Sequence, residues 1–395
     1  LAPPAEGTDH SAHFNSTDSP QFQALNQLNL EIGSQLSSFP LSSSAGGFAY
    51  SFDADLGVLS RPTDSFGSVF GERPLTVGKG KYNIGVSVAE YTFDNLDGLD
   101  LREGEMQLVF THVDIGGDGP LNPALEGDLV TSNLYINIET QITTLVGTYG
   151  VRDNFDVGIA IPVVDVSMQM SAETRVERVA TGDRDIHIFP SGQDTEVVRR
   201  RGNASGVGDV LLRGKYVALQ SGKNHVALSG DVRLPTGDDA NLLGTGELQV
   251  KASLLGSIVN RTFSPHANLG VALSGGDISN EVVYGAGMSW AADPKLTVSA
   301  DLVGRALMSV SRVKMEDEEF QYIEVDDTGG TVKSIVVPRL TVEDSESTVN
   351  LLHGAVGAKL NVGGNFLISM NGLFPLNDNG LTDKFSGLIG LDYSF

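Results

Sequence analysis

Long alternating strands repeated along the chain, short and long connections in turn, and a final strand ending on an aromatic residue together predict an all-β fold. The expected architecture is a transmembrane antiparallel up-and-down β-barrel of about 14 strands, with 12 or 16 as the alternatives, and a short N-terminal helical plug. The final strand shows the pattern in full. Phe385, Gly387, Ile389, Leu391, Tyr393 and Phe395 fall on one face, and Ser386, Leu388, Gly390, Asp392 and Ser394 on the other. Residues 247–258 repeat it, with Leu248, Val250, Ala252 and Leu254 set against Glu247, Gln249, Lys251 and Ser253. Residues 225–234, 296–306 and 351–361 do the same. Runs of this length match the roughly 9–11 residues a tilted strand needs to cross a bilayer. Strands of soluble domains average only about 5–6.

Taken from the N-terminus, residues 1–20 read as irregular. From Ser19 onward Phe22, Leu25, Leu28, Ile32 and Leu36 recur at helical spacing, with Asp18 or Ser19 as N-cap and Phe39-Pro40 as the stop. Residues 1–45 are therefore expected to form a periplasmic or lumenal plug segment at the periplasmic mouth, its helix inserted into the lumen, the alternative being a helix resting beneath the barrel or a short partner-binding segment. Residues 46–395 are expected to form the barrel. Strand candidates centre near 48–59, 80–93, 104–113, 132–149, 154–170, 207–219, 224–234, 246–259, 264–274, 281–291, 295–308, 349–361, 365–375 and 385–395. The connections Gly150–Asn154, Gln220–Lys223, Asn260–Phe263, Ala292–Pro294 and Val362–Gly364 are short. Those at 114–131, 171–206, 235–245, 275–280, 309–348 and 376–384 are longer and polar, which is the asymmetry of periplasmic turns and extracellular loops. The scheme makes 94–103 a periplasmic turn and puts 60–79 outside. Within 309–348, Asp326 to Gly330 between Val and Ile runs signals a hairpin. Lys314, Glu316, Asp317, Glu318 and Glu319 could not face lipid, so that hairpin is expected to rise above the membrane.

Composition narrows the function. The 395 residues contain no cysteine and 47 glycines, and carry a formal net charge of −24. That charge excludes nucleic acid as partner, because such binding needs Lys and Arg to neutralise phosphates. Without cysteine there is no disulfide framework and no thiolate chemistry. No run of eighteen apolar residues is present, so a transmembrane helix is excluded, while a barrel is not. The chain starts at Leu1, which leads to the expectation of a removed signal peptide in a Gram-negative outer-membrane protein with both termini periplasmic.

Inward positions of the strands hold Glu139, Asp209, Arg213, Lys215, Asp231, Arg233, Glu247, Lys251, Asp301, Arg305, His353 and Lys359. They are the candidates for a selective, charged lumen, the alternative being ion pairs that simply fill the interior. Loop acids include Glu316, Asp317, Glu318 and Glu319, candidates for Ca2+, with solvated loop surface as the alternative. The seven histidines lack metal-site spacing and no nucleophile elbow occurs, so no enzyme and no cofactor are expected.

Five segments carry a resemblance to a known family. They are Ser205-Gly206-Val207-Gly208-Asp209-Val210 with Lys215-Tyr216, Leu234-Pro235-Thr236-Gly237-Asp238, Leu243-Gly244-Thr245-Gly246, Pro265-His266-Ala267-Asn268-Leu269-Gly270 and Asn371-Gly372-Leu373-Phe374-Pro375-Leu376-Asn377. Their order and spacing across roughly 150–395 resemble the outer-membrane barrel family named for the MetA-pathway of phenol degradation. That resemblance implies a barrel passing small aromatic or hydrophobic compounds. A looser similarity links the chain to long-chain fatty-acid transporter barrels, which have fourteen strands and an N-terminal plug. Here an Asn122-Pro123-Ala124 triplet occurs in an outer loop. The expected function is a porin-like channel for passive uptake of small molecules. The alternative is a non-transporting scaffold barrel whose outer loops bind cell-surface components. Expected partners are outer-membrane lipid and lipopolysaccharide, a small-molecule solute, and the barrel-insertion machinery, which would read Phe395.

Overall fold

In the computed structural model the described residues are 14, 20–37, 47–53, 58–111, 127–179, 187–276, 278–326, 329–343 and 347–395. One helix, α1 (Pro20–Ser37), precedes the strands. The strands that build the wall and its outer extensions are β1 (Tyr82–Phe93), β2 (Met106–Thr111), β3 (Leu129–Arg152), β4 (Phe155–Glu177), β5 (Thr195–Val207) and β6 (Leu211–Ser221). They continue with β7 (Asn224–Arg233), β8 (Gln249–Ile258), β9 (Phe263–Ser274), β10 (Glu281–Asp293) and β11 (Leu296–Val310). After these come β12 (Val313–Asp326), β13 (Gly329–Val342), β14 (Ser347–Gly363), β15 (Phe366–Pro375) and β16 (Ser386–Ser394).

Every pairing in the main sheet is antiparallel, and the sheet closes on itself in the order β3-β1-β16-β15-β14-β11-β10-β9-β8-β7-β6-β4, with β4 returning to β3. Twelve strands form this ring. Two more, β2 and β5, bond to it from outside, giving the fourteen-stranded sheet. Closure pairs every strand edge, which the bilayer core requires.

Period-two alternation decides which face meets what. On β9, Phe263, Leu269, Val271 and Leu273 are exposed, while Ser264, His266, Gly270 and Ala272 are buried. The final strand obeys the expectation, with Phe385, Ile389, Leu391, Tyr393 and Phe395 all exposed and Ser386, Leu388 and Ser394 buried. In a barrel of this kind, side chains exposed on the outer face are the lipid contact. The short turns gather at one end of the ring, where Tyr82 stacks on Tyr149 (4.6 Å between ring centroids) and on Phe395 (5.2 Å). Phe366, Tyr393 and the Phe263–Trp290 pair extend this aromatic girdle. Aromatic rings concentrate there because an apolar body with a polar edge suits the membrane–water boundary.

Three expectations about the N-terminal third are corrected. The first expected strand, 48–59, does not join the wall. Its ends form a two-stranded ribbon, Ser51–Asp53 with Val58–Ser60. The 60–79 segment does not lie outside; it runs through the lumen. The 94–103 segment is not a periplasmic turn: β1 rises from the short-turn end, and 94–105 lies at the opposite end. There β2 resumes the lane of β1 along the upper part of β3. Phe48, Ala49, Met106, Leu108 and Val109, apolar residues of these two segments, are buried against other parts of the chain instead of facing lipid.

The β3–β4 hairpin is far longer than the bilayer requires. Its strands have 24 and 23 residues, against the roughly 9–11 that span. Outward positions near the turn are apolar (Leu145, Val157, Ile159), whereas those further up are Tyr135, Asn137, Asp165 and Gln169. The upper half therefore stands outside the membrane, flanked by β2 and β5. Much of the expected 171–206 loop is this strand structure. The expected hairpin in 309–348 is present as β12–β13, a separate two-stranded sheet. It leans from the β11–β14 side across the mouth, bringing Val337 against Val109 and Leu129.

Candidate functional site

The lumen is occupied by two different pieces of chain. Residues 61–79 fill the half nearest the short turns. Among the described residues, one main-chain bond ties this segment to the wall, from Asp64 N to Arg261 O at 2.7 Å. The remaining ties run through side chains. Ser65 Oγ donates to Ser289 Oγ at 2.8 Å, Phe66 N to Thr297 Oγ1 at 2.9 Å, and Val77 N to Asp156 Oδ2 at 3.0 Å. Ser68 Oγ donates to Asp301, and Lys359 Nζ donates to Ser68 O at 2.9 Å. Arg73 closes the segment on itself, donating to Ser65 O (3.1 Å), Phe66 O (3.0 Å) and Gly47 O (3.2 Å). Arg61 lies over the rings of Phe48 and Phe66. Gly71 is needed for the close approach, since a Cβ there would overlap the His266 ring.

Helix α1 occupies the outer half, at the long-loop end and not at the periplasmic mouth. Ala24, Leu28 and Ile32 are buried with Phe93, Ile136 and Ile138 of the wall, with Leu101 of the 94–105 segment, and with Val313 and Leu340 of the outer hairpin. Leu25 packs at the edge of that cluster, and Phe22 meets Phe110 edge-on at 6.3 Å. The side chain of Leu36 lies outside the described residues. Polar ties hold the helix as well. Gln27 Nε2 donates to Ser311 O at 2.6 Å, and Gln35 Oε1 accepts from Leu381 N at 2.7 Å. Glu31, almost fully buried, hydrogen-bonds the side chain of Asp97, which also receives Arg312 and Gly380 N. Burial first, then that neighbouring carboxyl, pushes the Glu31 pKa up to about 9.

The structure gathers most of the lumen candidates around the plug. Arg213 pairs with Asp231 (2.6 Å) and with Glu72, and Lys251 reaches the same Asp231 at 2.8 Å. Lys215 Nζ donates to Arg73 O at 3.3 Å and lies 3.7 Å from Glu72. Asp301 receives Ser68 and stands 2.9 Å from His266 Nε2. Arg305 pairs with Glu281 at 2.7 Å. His353 is buried on the inner face of β14, level with Val303 of β11. Arg233 lines the cavity described below. Three candidates lie elsewhere, Glu247, Glu139 and Asp209. Glu247 stands at the rim against Gly275 and Gly276. Glu139 is exposed on the outer face of β3, where its neighbour Ile138 takes the inward position. A charge is tolerated there because the position lies above the lipid-facing belt.

Asp209 serves the rim. Its carboxylate accepts from Gly237 N (3.0 Å), Thr245 N (2.8 Å) and Thr245 Oγ1 (2.7 Å). Thr236 Oγ1 in turn donates to Gly208 O and accepts from Val210 N. A Cβ on Gly244 would meet the Gly237 backbone. Three of the segments with a family resemblance thus meet in one knot. It presents Leu242 and Leu243 to the cluster containing α1.

Glu72, Ser68, Arg73, His266, Asn268 and Glu281 escaped sequence reasoning. Inward parity on β9 and β10 marks the last three. Nothing periodic marks 68–73. On β12 successive side chains of Glu316 to Glu319, the acidic run, point to opposite faces. Glu316 pairs with Lys314 at 2.9 Å and Glu318 with Arg339. No His/Asp/Glu cluster suited to a metal occurs among the described residues. The Asn122–Ala124 triplet lies outside them.

Above the plug, between β6 and β11, remains a cavity of about 140 Å3. Phe70 and Glu72 form its floor, and Arg213, Asp231, Lys251 and Arg305 are in its wall.

A closed ring with an apolar outer belt, an aromatic girdle, short turns at one end and a plugged polar lumen defines an integral β-barrel of the bacterial outer membrane. Residues 126–303 match the family model described as the MetA-pathway of phenol degradation, the same family that the segments above resemble. Among solved structures the chain is similar to an outer membrane channel from Pseudomonas putida F1, at 14% identity and a TM-score of 0.41, covering 80% of this chain and 96% of that one. It is similar also to a Pseudomonas aeruginosa FadL homologue (12%, 0.34, covering 90% and 97%). A third is the toluene transporter TbuX of Ralstonia pickettii (12%, 0.30, covering 91% and 99%). A comparison with curated proteins gave no match.

Proposed function

We propose that this barrel is a plugged channel for passive uptake of small molecules, aromatic compounds among them. One observation carries the reading. The lumen segment 61–79 is held largely by side-chain hydrogen bonds and ion pairs rather than by strand pairing, so it can shift without breaking the ring. The cavity on that segment is the place where a solute would pause. The family described by phenol degradation supports an aromatic solute. Swelling of liposomes carrying the protein, with sugars, amino acids, neutral aromatics and aromatic acids, tests the proposal. Faster entry of aromatics than of sugars is expected, and no entry of any solute overturns it.

The partners proposed with this role follow the chemistry of the surface. Arg102, Arg199 and Arg201 border a groove with Tyr135 and Gln169 on the upper outer wall, suited to the anionic groups of lipopolysaccharide. The exposed Phe395 with Tyr393 and Leu391 is the segment offered to the barrel-insertion machinery. R199Q/R201Q should weaken co-purification of lipopolysaccharide, and unchanged phosphate content of the purified protein would count against that contact.

A further inference from the structure

The two ends of the barrel differ in charge. The chain as a whole has 50 Asp and Glu against 26 Lys and Arg, but at the short-turn end the proportion reverses. The foot of β1 and the five short turns, with the residues flanking them, hold Lys79, Lys81, Arg152, Lys223, Arg261 and Lys295 against Asp153 and Asp293. All six cations reach solvent except Lys81, which is partly buried with its ammonium 3.8 Å over the Tyr50 ring. Arg261 pairs with Asp64 of the lumen segment at 2.9 Å, yet its side chain stays 86% exposed. The cations are spread around the circumference. They stand at β1 and at the β3–β4, β6–β7, β8–β9 and β10–β11 turns, and the β14–β15 turn alone lacks one. Their height is set by the aromatic girdle. Lys81 precedes Tyr82, Arg152 follows Tyr149 by three residues, and Arg261 precedes Phe263 by two. At about 3.3 Å per residue these charges lie just beyond the rings that mark the membrane–water boundary, in the headgroup layer. Their long stems let them stay at that depth while the charge remains wet.

We propose that this rim binds the headgroups of anionic phospholipid in the periplasmic leaflet, the turn cations holding the phosphates and the aromatic rings packing on the acyl chains below. Position decides for a lipid surface over an acidic protein. The cations lie at one height around the whole barrel, whereas a protein partner would call for a patch on one side. A zwitterionic headgroup brings its own cation to the same phosphate, so net anionic lipid is preferred. The binding holds whether or not the lumen conducts.

The chain carries its own reporter. Trp290, its single tryptophan, is exposed on the outer face of β10, opposite Phe263 and on the hairpin whose turn holds Lys295. Its fluorescence therefore reads the lipid beside Arg261 and Lys295. The full chain is reconstituted in phosphatidylcholine vesicles that contain equal mole fractions of brominated phosphatidylglycerol or brominated phosphatidylcholine, whose bromine quenches a neighbouring indole. Phosphatidylglycerol is expected to hold the surface beside Trp290 at least twofold better than phosphatidylcholine, and to lose that advantage as salt rises. R261Q/K295Q should bring the two lipids to parity. R152Q, at the β3–β4 turn on the opposite side of the ring, should leave the preference intact. Equal quenching by the two lipids in the parent chain overturns the proposal, and so does a preference that survives R261Q/K295Q. A loss in R152Q as large as that in R261Q/K295Q would mark an effect of net charge or of folding, and would overturn the local headgroup contacts.

Discussion

Asp209 and Glu31 show how single carboxyl groups organise this barrel. Asp209 accepts three hydrogen bonds from two loop residues, and a buried donor left without its charged acceptor costs about 1.5–3 kcal/mol. Asp209→Ala should therefore lower stability by about 3 kcal/mol, seen as a lower temperature at which the folded band is lost in gel electrophoresis. An unchanged temperature would show that the knot is ornamental. Glu31 works by its proton. Its carboxyl is neutral up to about pH 9 in place, whereas an unfolded glutamate loses its proton near 4.3. Between those values the folded state binds the extra proton, so docking of α1 weakens as pH rises and is strongest in acid. Proteolysis within 20–37 should accelerate from pH 6 to pH 9. Glu31→Gln, which retains a donor for Asp97, should flatten that profile, and an E31Q profile as steep as that of the parent chain would refute the account.

At the scale of elements, the lumen has two closures. Residues 61–79 block the inner half and α1 the outer, joined to the wall by separate sets of contacts. Deleting 1–44 should consequently leave single-channel conductance low, because the inner segment stays in place. Deleting 1–79 removes both and should raise conductance severalfold, since strand β1 begins only at Tyr82. A large conductance in the shorter deletion would mean that α1 alone seals the pore. The helix itself was legible, because Leu25, Leu28 and Ile32 at helical spacing need a partner surface. Its position in the outer half was not, because that partner is assembled from β1, β2, β3 and the β12–β13 hairpin.

Over the whole molecule, the outer belt is the strongest constraint. Leu269 lies midway along β9 with 56% of its surface exposed, beside Leu254 of β8. Leu269→Arg should cost about 2–4 kcal/mol, measured by urea titration of folding into lipid vesicles. The same substitution at Asn137, outward but above the belt, should cost little; equal penalties would place the membrane boundary elsewhere.

The twelve strands of the ring, the side chains they turn to lipid and the end that carries the short turns were readable from the chain; that 48–59 stays out of the wall and that 195–207 forms a strand was not. Alternation and turn length are local properties that no tertiary contact can reverse once the ring closes. The same reading made an outer loop of 60–79 and an inner turn of 94–103, and set Glu139 in the lumen. Those outcomes depend on pairs far apart in sequence, such as Ser68 with Asp301, 233 residues away. They depend also on where along an overlong strand the bilayer stops. Irregular segments carry no period to announce their partners. The inner plug and the cavity above it therefore came into view only when the wall had folded around them.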